Sequence, residues 1–366
     1  MKLKAAVVEA VNAEWEVREI ELREHDLRPG EVLVRMGAAG LCHTDEHIRH
    51  GELPAQFPLV GGHEGAGVAI SVGDGVSHIS PGDHLVFTFR PSCGLCHYCV
   101  NGMAHLCVEI NEIKNGDPNP RFHHAGEGLN AQSLIGTFAE YAIVKATSCV
   151  IVDRDVPMDV AALLGCAIPT GYGAAVHAGR VRPGDHVVVV GMGGVGTNAV
   201  QGAKVSGAST VVAVDLSTDK LALARTFGAD AAFKSLGEAA TFISESSSGG
   251  KATVVILTVP VAQLAIQAVS VLEQGGRLVL AALGDPSRFR LDLPINQLVM
   301  NDITVRGTVM GSSSLRRDIP TILNLYRQGK YKLDELITHR FSLDEIREGY
   351  SRLDQGDVVR AVIQYG

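Results

Sequence analysis

Four cysteines stand close together in the chain, in the spacing Cys93-x2-Cys96-x2-Cys99-x7-Cys107. Four thiolates that short loops turn inward form a closed tetrahedral site for zinc. Because such a site leaves no position for a substrate, the spacing predicts a structural zinc at residues 93–107. The alternative is that these are reduced cysteines buried as small apolar side chains, which would not require this spacing.

Three further cysteines, Cys42, Cys149 and Cys166, lie outside this group. Cys42 opens a polar segment that continues to His47, and His63 stands in a second segment, Gly-Gly-His-Glu-Gly. A catalytic zinc takes three protein ligands and keeps one position open, and two thiolates with one imidazole meet that need. Spacing alone does not join these residues, because a single cysteine is more often core and a single loop histidine more often hydrogen-bonded.

A glycine-rich turn follows an apolar stretch and opens a helical pattern, with the sequence Gly191-Met-Gly193-Gly194-Val195-Gly196. In a dinucleotide site, one glycine makes the turn, one lets the backbone approach the pyrophosphate, and one lets the helix pack on the strand. The start of the helix supplies N–H groups for the phosphates. Asp215 ends the next apolar stretch, where a carboxylate accepts from the ribose hydroxyls and repels a 2′-phosphate, which favours NAD over NADP. Lys220 is a second candidate for the ribose, with a solvated helix lysine as the alternative.

The pattern of predicted secondary structure changes near residue 166. Residues 1–166 are typical of a β-rich domain of short strands and turns, whereas residues 167–309 alternate apolar strands with helical patterns. That alternation predicts a parallel, doubly wound α/β sheet of the Rossmann type. Residues 310–366 carry two helical patterns and a final strand, which we expect to return to the first domain. Residues 301–310 are expected to form an exposed edge strand.

Together, these motifs resemble the zinc-containing medium-chain dehydrogenase/reductase family, in particular its alcohol dehydrogenases. The resemblance covers essentially the whole chain, and the following motifs carry it in family order: the Cys42 segment, Gly62-His-Glu-Gly-Ala-Gly67, the four cysteines, Gly165-Cys166, Pro169-Thr-Gly-Tyr-Gly173 and the glycine-rich turn. It implies a GroES-like catalytic domain beside the Rossmann domain. It also implies a zinc-dependent alcohol dehydrogenase with two zinc ions and NAD(H) in each subunit.

The resemblance assigns the metal roles to single residues. Cys42, His63 and Cys166 would bind the catalytic zinc. Glu64 would lie beside the metal and enter its shell as water or product exchanges. Asp45 would orient one of the ligands.

A second group of residues is expected to handle the proton, the cofactor and the substrate. Thr44 would accept the alcohol proton and His47 would pass it toward solvent, which suits a side chain that titrates near neutrality; the alternative is a polar turn. His43 and Arg360 match contacts to the cofactor pyrophosphate, and Thr170 lies in a motif expected at the cofactor. Two positions match the lining of the alcohol pocket: Phe89 and Val309.

A long polar segment, Glu109–Leu134, departs from the plain family pattern. It contains several turn signals and the pair His123 and His124, and it is expected to be a loop, either functional or an ordinary surface loop. With later motifs such as Gly311-Ser312, it resembles the mycofactocin-associated, nitrosodimethylaniline-dependent alcohol dehydrogenases. That branch consists of nicotinoproteins, which keep NAD(H) tightly bound and regenerate it with an external acceptor such as mycofactocin.

Two other functions stay open at this point. Glutathione-linked formaldehyde dehydrogenases share the zinc motifs, but they need charged groups for the glutathione adduct, and Glu52 is the candidate acid. A non-catalytic nucleotide-binding protein of the same fold would be expected to lose the catalytic zinc ligands, and all three are present.

Composition narrows the partners. The 366 residues are 46% hydrophobic and 20% charged, with a net charge of −8, which does not favour a nucleic-acid partner. No apolar run approaches the length of a membrane span, and the first residues alternate like a strand without the pattern of a signal peptide. These features favour a cytoplasmic enzyme. The family resemblance implies a homodimer or homotetramer that acts on a small primary alcohol or aldehyde.

Overall fold

The structure is a computed structural model that describes residues 1–25, 27–246, 249–284, 289–356 and 358–366. These residues divide into two compact units. The first unit comprises Met1–Cys166, Ser314–Pro320 and Ile337–Gly366, and the second comprises Ala167–Ser313 and Thr321–Leu336. No helix among the described residues is long and apolar enough to cross a membrane.

The described residues contain 18 strands. In chain order they are β1 (Lys2–Val8), β2 (Glu16–Leu22), β3 (Glu31–Leu41), β4 (Leu59–Val60), β5 (Glu64–Val72), β6 (His84–Phe87), β7 (Phe122–His124), β8 (Glu127–Ala131), β9 (Tyr141–Lys145), β10 (Cys149–Val152), β11 (His186–Val190), β12 (Thr210–Val214), β13 (Ala231–Phe233), β14 (Ala252–Leu257), β15 (Leu272–Leu280), β16 (Thr304–Gly307), β17 (Ile337–Phe341) and β18 (Arg360–Gln364).

The α-helices are divided between the two units. In chain order they are α1 (His43–Arg49), α2 (His97–Val100), α3 (Ile110–Asn115), α4 (Met158–Leu163), α5 (Ala167–Gly173), α6 (Gly194–Val205), α7 (Thr218–Thr226), α8 (Leu236–Ser246), α9 (Ala262–Val271), α10 (Ile295–Met300), α11 (Leu315–Arg327) and α12 (Ile346–Gln355).

The first unit contains a closed barrel and a second, larger sheet. The barrel has the order β1-β2-β7-β8-β4, and the sheet has the order β10-β6-β5-β3-β18-β17, with β9 also paired to β3. The long strand β3 pairs antiparallel with β5, β9 and β18. The register places Gly40 of β3 opposite Glu64 on one side and Val362 on the other. The end of β3 therefore lies beside the first residues of both β5 and β18.

The second unit is a parallel sheet in the order β13-β12-β11-β14-β15-β16. Its central strands β11, β12 and β14 are continuous buried apolar runs, as expected for strands covered on both faces. The chain order reverses at β11, and the glycine-rich turn follows that strand. This is the doubly wound architecture predicted from the alternation of strands and helices, and the fold class is confirmed.

Three features differ from the sequence expectations. The returning segment is split, because residues 310–313 and 321–336 pack with the second unit. The edge strand β16 is shorter than residues 301–310. The segment Glu109–Leu134, expected as a loop, contains α3 and the hairpin β7–β8. Ala125 and Gly126 close this hairpin, both at positive φ (49° and 88°), as a two-residue primed turn requires.

Candidate metal centres and nucleotide site

Four side chains of the first unit converge where β3 ends and β5 begins. Cys42 follows β3, His63 and Glu64 stand at the start of β5, and Cys166 follows α4. One potential ligand atom from each of these four residues lies within 4.8 Å of the others. The register of β3 and β5 explains how residues separated in sequence meet here.

Two glycines make room for this cluster. A side chain at Gly40 would come within 2.2 Å of Glu64 Oε2, and one at Gly165 would come within 2.3 Å of the Phe87 carbonyl oxygen. Neither gap can accommodate a methyl group. Glycine at these positions lets Glu64 turn inward and lets the chain bring Cys166 to the centre.

The cluster fits a metal cation. Nε2 of His63 is buried and has no hydrogen-bond partner among the described residues, and the same holds for Oε1 of Glu64. A hydrogen bond from Cys166 and the neighbouring His63 lower the pKa of the Cys42 thiol well below its usual value, whereas the same hydrogen bond and burial raise the pKa of Cys166. An orphaned imidazole nitrogen between two thiols is the donor set of a catalytic zinc site.

Asp45 holds the imidazole in place. Its Oδ1 lies 2.6 Å from Nδ1 of His63, and both side chains are buried. Its Oδ2 accepts from the backbone N–H of Cys42 at 3.1 Å and from the hydroxyl of Tyr350 at 2.7 Å. Burial alone would lower the pKa of His63, but the charges of Asp45 and Cys42 raise it well above its usual value. A carboxylate at Nδ1 directs Nε2 toward the metal position.

Glu64 and Arg360 form a buried ion pair beside the two thiols. Burial raises the pKa of Glu64, and the positive charge of Arg360 opposes that rise. Arg360 was predicted as a pyrophosphate contact, and the structure places it at the start of β18 against Glu64.

The residues expected to form the proton path lie on α1. Thr44 and His47 are half-buried, and His43, predicted as a pyrophosphate contact, is exposed on the same helix. Nδ1 of His47 lies 2.5 Å from Oε2 of Glu52, which is itself 41% exposed. The carboxylate of Glu52, considered above as a glutathione contact, therefore already pairs with the His47 ring.

Phe89 lies against the metal cluster. Its ring is edge-on to that of His63, with centroids 5.3 Å apart. Val309, the other predicted pocket residue, is half-buried in the second unit, just before a short turn at Met310–Ser312.

The four lobe cysteines form a second cluster, with their sulfurs within 4.8 Å of one another. Backbone N–H groups support these sulfurs: Cys93 Sγ accepts from Leu95 and Cys96 at 3.4 and 3.3 Å, and Cys107 Sγ accepts from Cys93 at 3.4 Å. Backbone hydrogen bonds from Cys99 and Val108 lower the pKa of the Cys96 thiol to about 6, whereas burial raises the pKa of Cys107 to about 12. N–H groups directed at clustered sulfurs stabilise thiolates, the form that binds zinc.

The glycine-rich turn has the geometry of a dinucleotide site. Gly191 has φ of 95°, in the left-handed region. A side chain at Gly196 would come within 1.6 Å of the Gly191 carbonyl oxygen, whereas one at Gly193 would meet nothing within 4 Å. Gly191 thus makes the turn, Gly196 allows close packing, and Gly193 leaves open space at the start of α6 where a pyrophosphate can approach.

Three further predicted cofactor residues, Asp215, Lys220 and Thr170, lie in the second unit, whereas His43 and Arg360 lie in the first. Asp215 follows β12, and its carboxylate accepts from the backbone N–H of Met192 at 2.6 Å and of Ser217 at 2.9 Å. It therefore joins the glycine-rich turn to the end of the next strand. Lys220 lies half-buried on α7, and Thr170 lies on α5 with its hydroxyl 3.8 Å from Sδ of Met310.

Sequence reasoning missed two residues at the metal cluster, Gln132 and Tyr350. Both donate hydrogen bonds to Asp45. Neither stands in a motif, and their sequence separations from Asp45 are 87 and 305 residues. For Gln132, the only indication in the sequence was that it lies in the long polar segment Glu109–Leu134 with its turn signals. For Tyr350 there was none.

Residues 28–154 match the family described as alcohol dehydrogenase GroES-like domain, and residues 194–328 match the one described as zinc-binding dehydrogenase. The chain is 43% identical to the NDMA-dependent alcohol dehydrogenase of Amycolatopsis methanolica, over all of this chain and 99% of the relative.

Two solved structures are similar over the full chain. Benzyl alcohol dehydrogenase from Acinetobacter calcoaceticus shares 29% identity, with a TM-score of 0.90 and coverage of 100% of both chains. Acetophenone reductase from Geotrichum candidum, in complex with NAD, shares 26% identity, with a TM-score of 0.80 and coverage of 100% of this chain and 97% of that one.

Proposed function

The chain belongs to the zinc-containing alcohol dehydrogenase family, and from this membership we propose that it oxidises a primary alcohol at a zinc held by Cys42, His63 and Cys166, with a tightly bound NAD as the hydride acceptor. The matching family models and the 43% identical relative confirm the family and the enzyme class that the motifs predicted. They also support zinc and a nicotinamide nucleotide as the cofactors.

The observation that carries the proposal is the buried cluster of two thiols, one imidazole and one carboxylate, with Nε2 of His63 orphaned among them. Bound there, zinc would supply a Lewis acid that lowers the pKa of the alcohol. The residues around it hold the donor atoms in place: Asp45 fixes the imidazole, and Arg360 compensates the charge of Glu64. The second cluster, at Cys93–Cys107, would hold a structural zinc, which gives two zinc ions in each subunit.

The proton of the alcohol leaves along α1 in this proposal. Thr44 accepts it and donates its own hydroxyl proton to His47. His47 passes a proton to solvent with the help of Glu52, whose carboxylate lies 2.5 Å from Nδ1. NAD held at the glycine-rich turn would accept the hydride, and the alcohol, having lost a hydride and a proton, would become an aldehyde.

NAD is proposed to stay bound between turnovers and to be reoxidised by an external acceptor. The name of the Amycolatopsis relative and the segment Glu109–Leu134 support this branch of the family. We expect the purified protein, denatured and filtered, to release close to one equivalent of NAD(H) per subunit, because a prosthetic nucleotide survives purification. Turnover with alcohol and nitrosodimethylaniline should then need no added NAD.

The same release experiment can also contradict a prosthetic NAD. Release of less than roughly a tenth of an equivalent, together with steady turnover on free NAD, would mean that NAD is an ordinary cosubstrate. The zinc chemistry would be untouched by that result.

The substrate is proposed to be a primary alcohol that can pack against an aromatic ring. Phe89 presents its ring beside His63, and the similar structure from Acinetobacter is named a benzyl alcohol dehydrogenase. Aromatic and medium-chain alcohols are therefore the first class to assay.

A homo-oligomer is proposed through the second unit. The strand β16 lies at the edge of its sheet, and the preceding helix α10 exposes three large apolar side chains: Ile295 at 71%, Val299 at 72% and Met300 at 79%. An exposed strand edge beside an apolar helix face is a surface that a second copy of the chain can cover. Six thiols gathered in two metal clusters favour a reducing compartment, so the cytoplasm stays our prediction for the location.

A further inference from the structure

The segment Glu109–Leu134 ends in a buried glutamine that reaches the metal cluster. Gln132 follows the strand β8 and is 2% exposed. The residues after it take an unusual course, because Ser133, Leu134 and Gly136 all have positive φ, at 53°, 57° and 61°. Non-glycine residues adopt this conformation when the surrounding structure holds them there, often at functional sites.

The side-chain amide of Gln132 makes two complementary hydrogen bonds. Nε2 donates to Oδ1 of Asp45 at 2.6 Å, and Oε1 accepts from the backbone N–H of Gly62 at 2.9 Å. Only this orientation of the amide satisfies both neighbours, because a carboxylate can only accept and an N–H can only donate. Nε2 also lies 3.2 Å from Nδ1 of His63.

Gln132 therefore constrains His63 through two neighbouring groups. It holds the backbone of Gly62, the residue before His63, and it holds the carboxylate that accepts from the His63 ring. The other oxygen of Asp45 is already engaged by Cys42 and Tyr350. Four donors therefore surround the Asp45 carboxylate, and Nδ1 of His63 is one of them, which leaves Nε2 of His63 free to face the cluster with Cys42 and Cys166.

We propose that Gln132 is a positioning residue for the catalytic zinc, and that the segment Glu109–Leu134 serves to bring its amide to the Asp45–His63 pair. The inference rests on the proposed assignment of Cys42, His63 and Cys166 as zinc ligands. Groups that hold a metal-bound histidine through its second nitrogen set the orientation of the ring and the retention of the metal. Loss of the amide leaves the Gly62 N–H without its acceptor and Asp45 without one donor, so the imidazole loses its fixed direction.

The test is the loss of zinc from Gln132→Met, which keeps the length of the side chain and removes both hydrogen bonds. We expect the cluster of Cys42, His63 and Cys166 to lose zinc to a chromogenic chelator about tenfold faster than in the wild type, with a comparable fall in kcat/KM. The lobe zinc should be released at the wild-type rate. In the cobalt-substituted protein, the visible absorption bands of the catalytic ion should shift.

Two further variants separate positioning from folding. Gln132→Glu keeps an acceptor for Gly62 but replaces the donor to Asp45 with a second carboxylate, so it should lose zinc at least as fast. Asn130→Leu changes a neighbouring amide in the same segment, whose side chain contacts Pro58, and should retain zinc as the wild type does.

The inference is overturned if folded Gln132→Met and Gln132→Glu keep the wild-type release rate and cobalt spectrum. It is equally overturned if Asn130→Leu releases zinc as fast as they do, since the segment would then act through the fold alone. A wild-type protein with one zinc per subunit would overturn the proposed function as well, which distinguishes the two failures.

Discussion

Cys166→Ala is expected to reduce alcohol oxidation by at least about a thousandfold, which corresponds to roughly 4 kcal/mol of lost transition-state stabilisation. Cys166 is buried, and its sulfur belongs to the cluster with Cys42, His63 and Glu64. Alanine leaves two ligands where a catalytic zinc needs three, so the metal is lost or misplaced. Cys42→Ala should have the same effect. Both losses should appear in kcat with a saturating alcohol and as one zinc fewer per subunit.

The nucleotide site should survive these substitutions. The glycine-rich turn and Asp215 lie in the second unit, whereas Cys42 and Cys166 lie in the first, so we expect the variants to retain NAD(H). The matched control is Cys149→Ala, which removes a buried thiol that belongs to neither cluster and donates to the Lys145 carbonyl at 3.4 Å. It should cost about 1 kcal/mol of stability and leave activity near that of the wild type. Full activity in a Cys166→Ala protein without catalytic zinc would refute the assignment of the metal site.

Cys96→Ala is expected to unfold the four-cysteine lobe. Within residues 93–107, the regular structure consists of one four-residue helix and a short turn at Ala104–Leu106. Such a segment has little core of its own, so the bonds between its sulfurs and zinc must hold it together. Structural zinc contributes roughly 10–16 kcal/mol in zinc-finger peptides, where the metal likewise replaces a core. We expect a lower melting temperature, one zinc fewer per subunit, and rapid proteolysis within the lobe.

Leu95→Ala is the control for the lobe, because Leu95 lies beside Cys96 with 86% of its surface exposed. Its truncation removes little buried surface and should leave the melting temperature and the zinc content unchanged. An unchanged melting temperature and zinc content in Cys96→Ala would show that the lobe does not depend on a metal.

The features that the sequence predicts well are those whose chemistry is local. The glycine-rich turn needs three glycines at fixed spacing, and the structure gives Gly191, Gly193 and Gly196 the three environments that this spacing requires. The four lobe cysteines similarly lie close together in the chain and in space. In both cases a short stretch of backbone determines the arrangement.

The features that the sequence leaves out depend on strand register. Gly40 lies opposite Glu64, and Leu41 lies opposite Ala361, because β3 pairs with both β5 and β18. That register creates the Glu64–Arg360 pair, which no spacing in the sequence indicates. Gln132 reaches Asp45 for a similar reason, since the hairpin β7–β8 is a part of the barrel and not the loop that its polar composition suggests.

Alcohol oxidation by bound NAD at the zinc site can be tested by adding an aromatic primary alcohol to the purified protein, with no added NAD or acceptor and with semicarbazide to trap the aldehyde. The near-ultraviolet absorbance of reduced nicotinamide is then recorded for the wild type and for Cys166→Ala. We expect a single burst of bound NADH in the wild type, up to one equivalent per subunit, and none in Cys166→Ala. Zinc-dependent alcohol oxidation at Cys166 would be refuted by a wild-type protein that forms no NADH with any of the alcohols, even after NAD is added. An equal burst in Cys166→Ala would refute it as well.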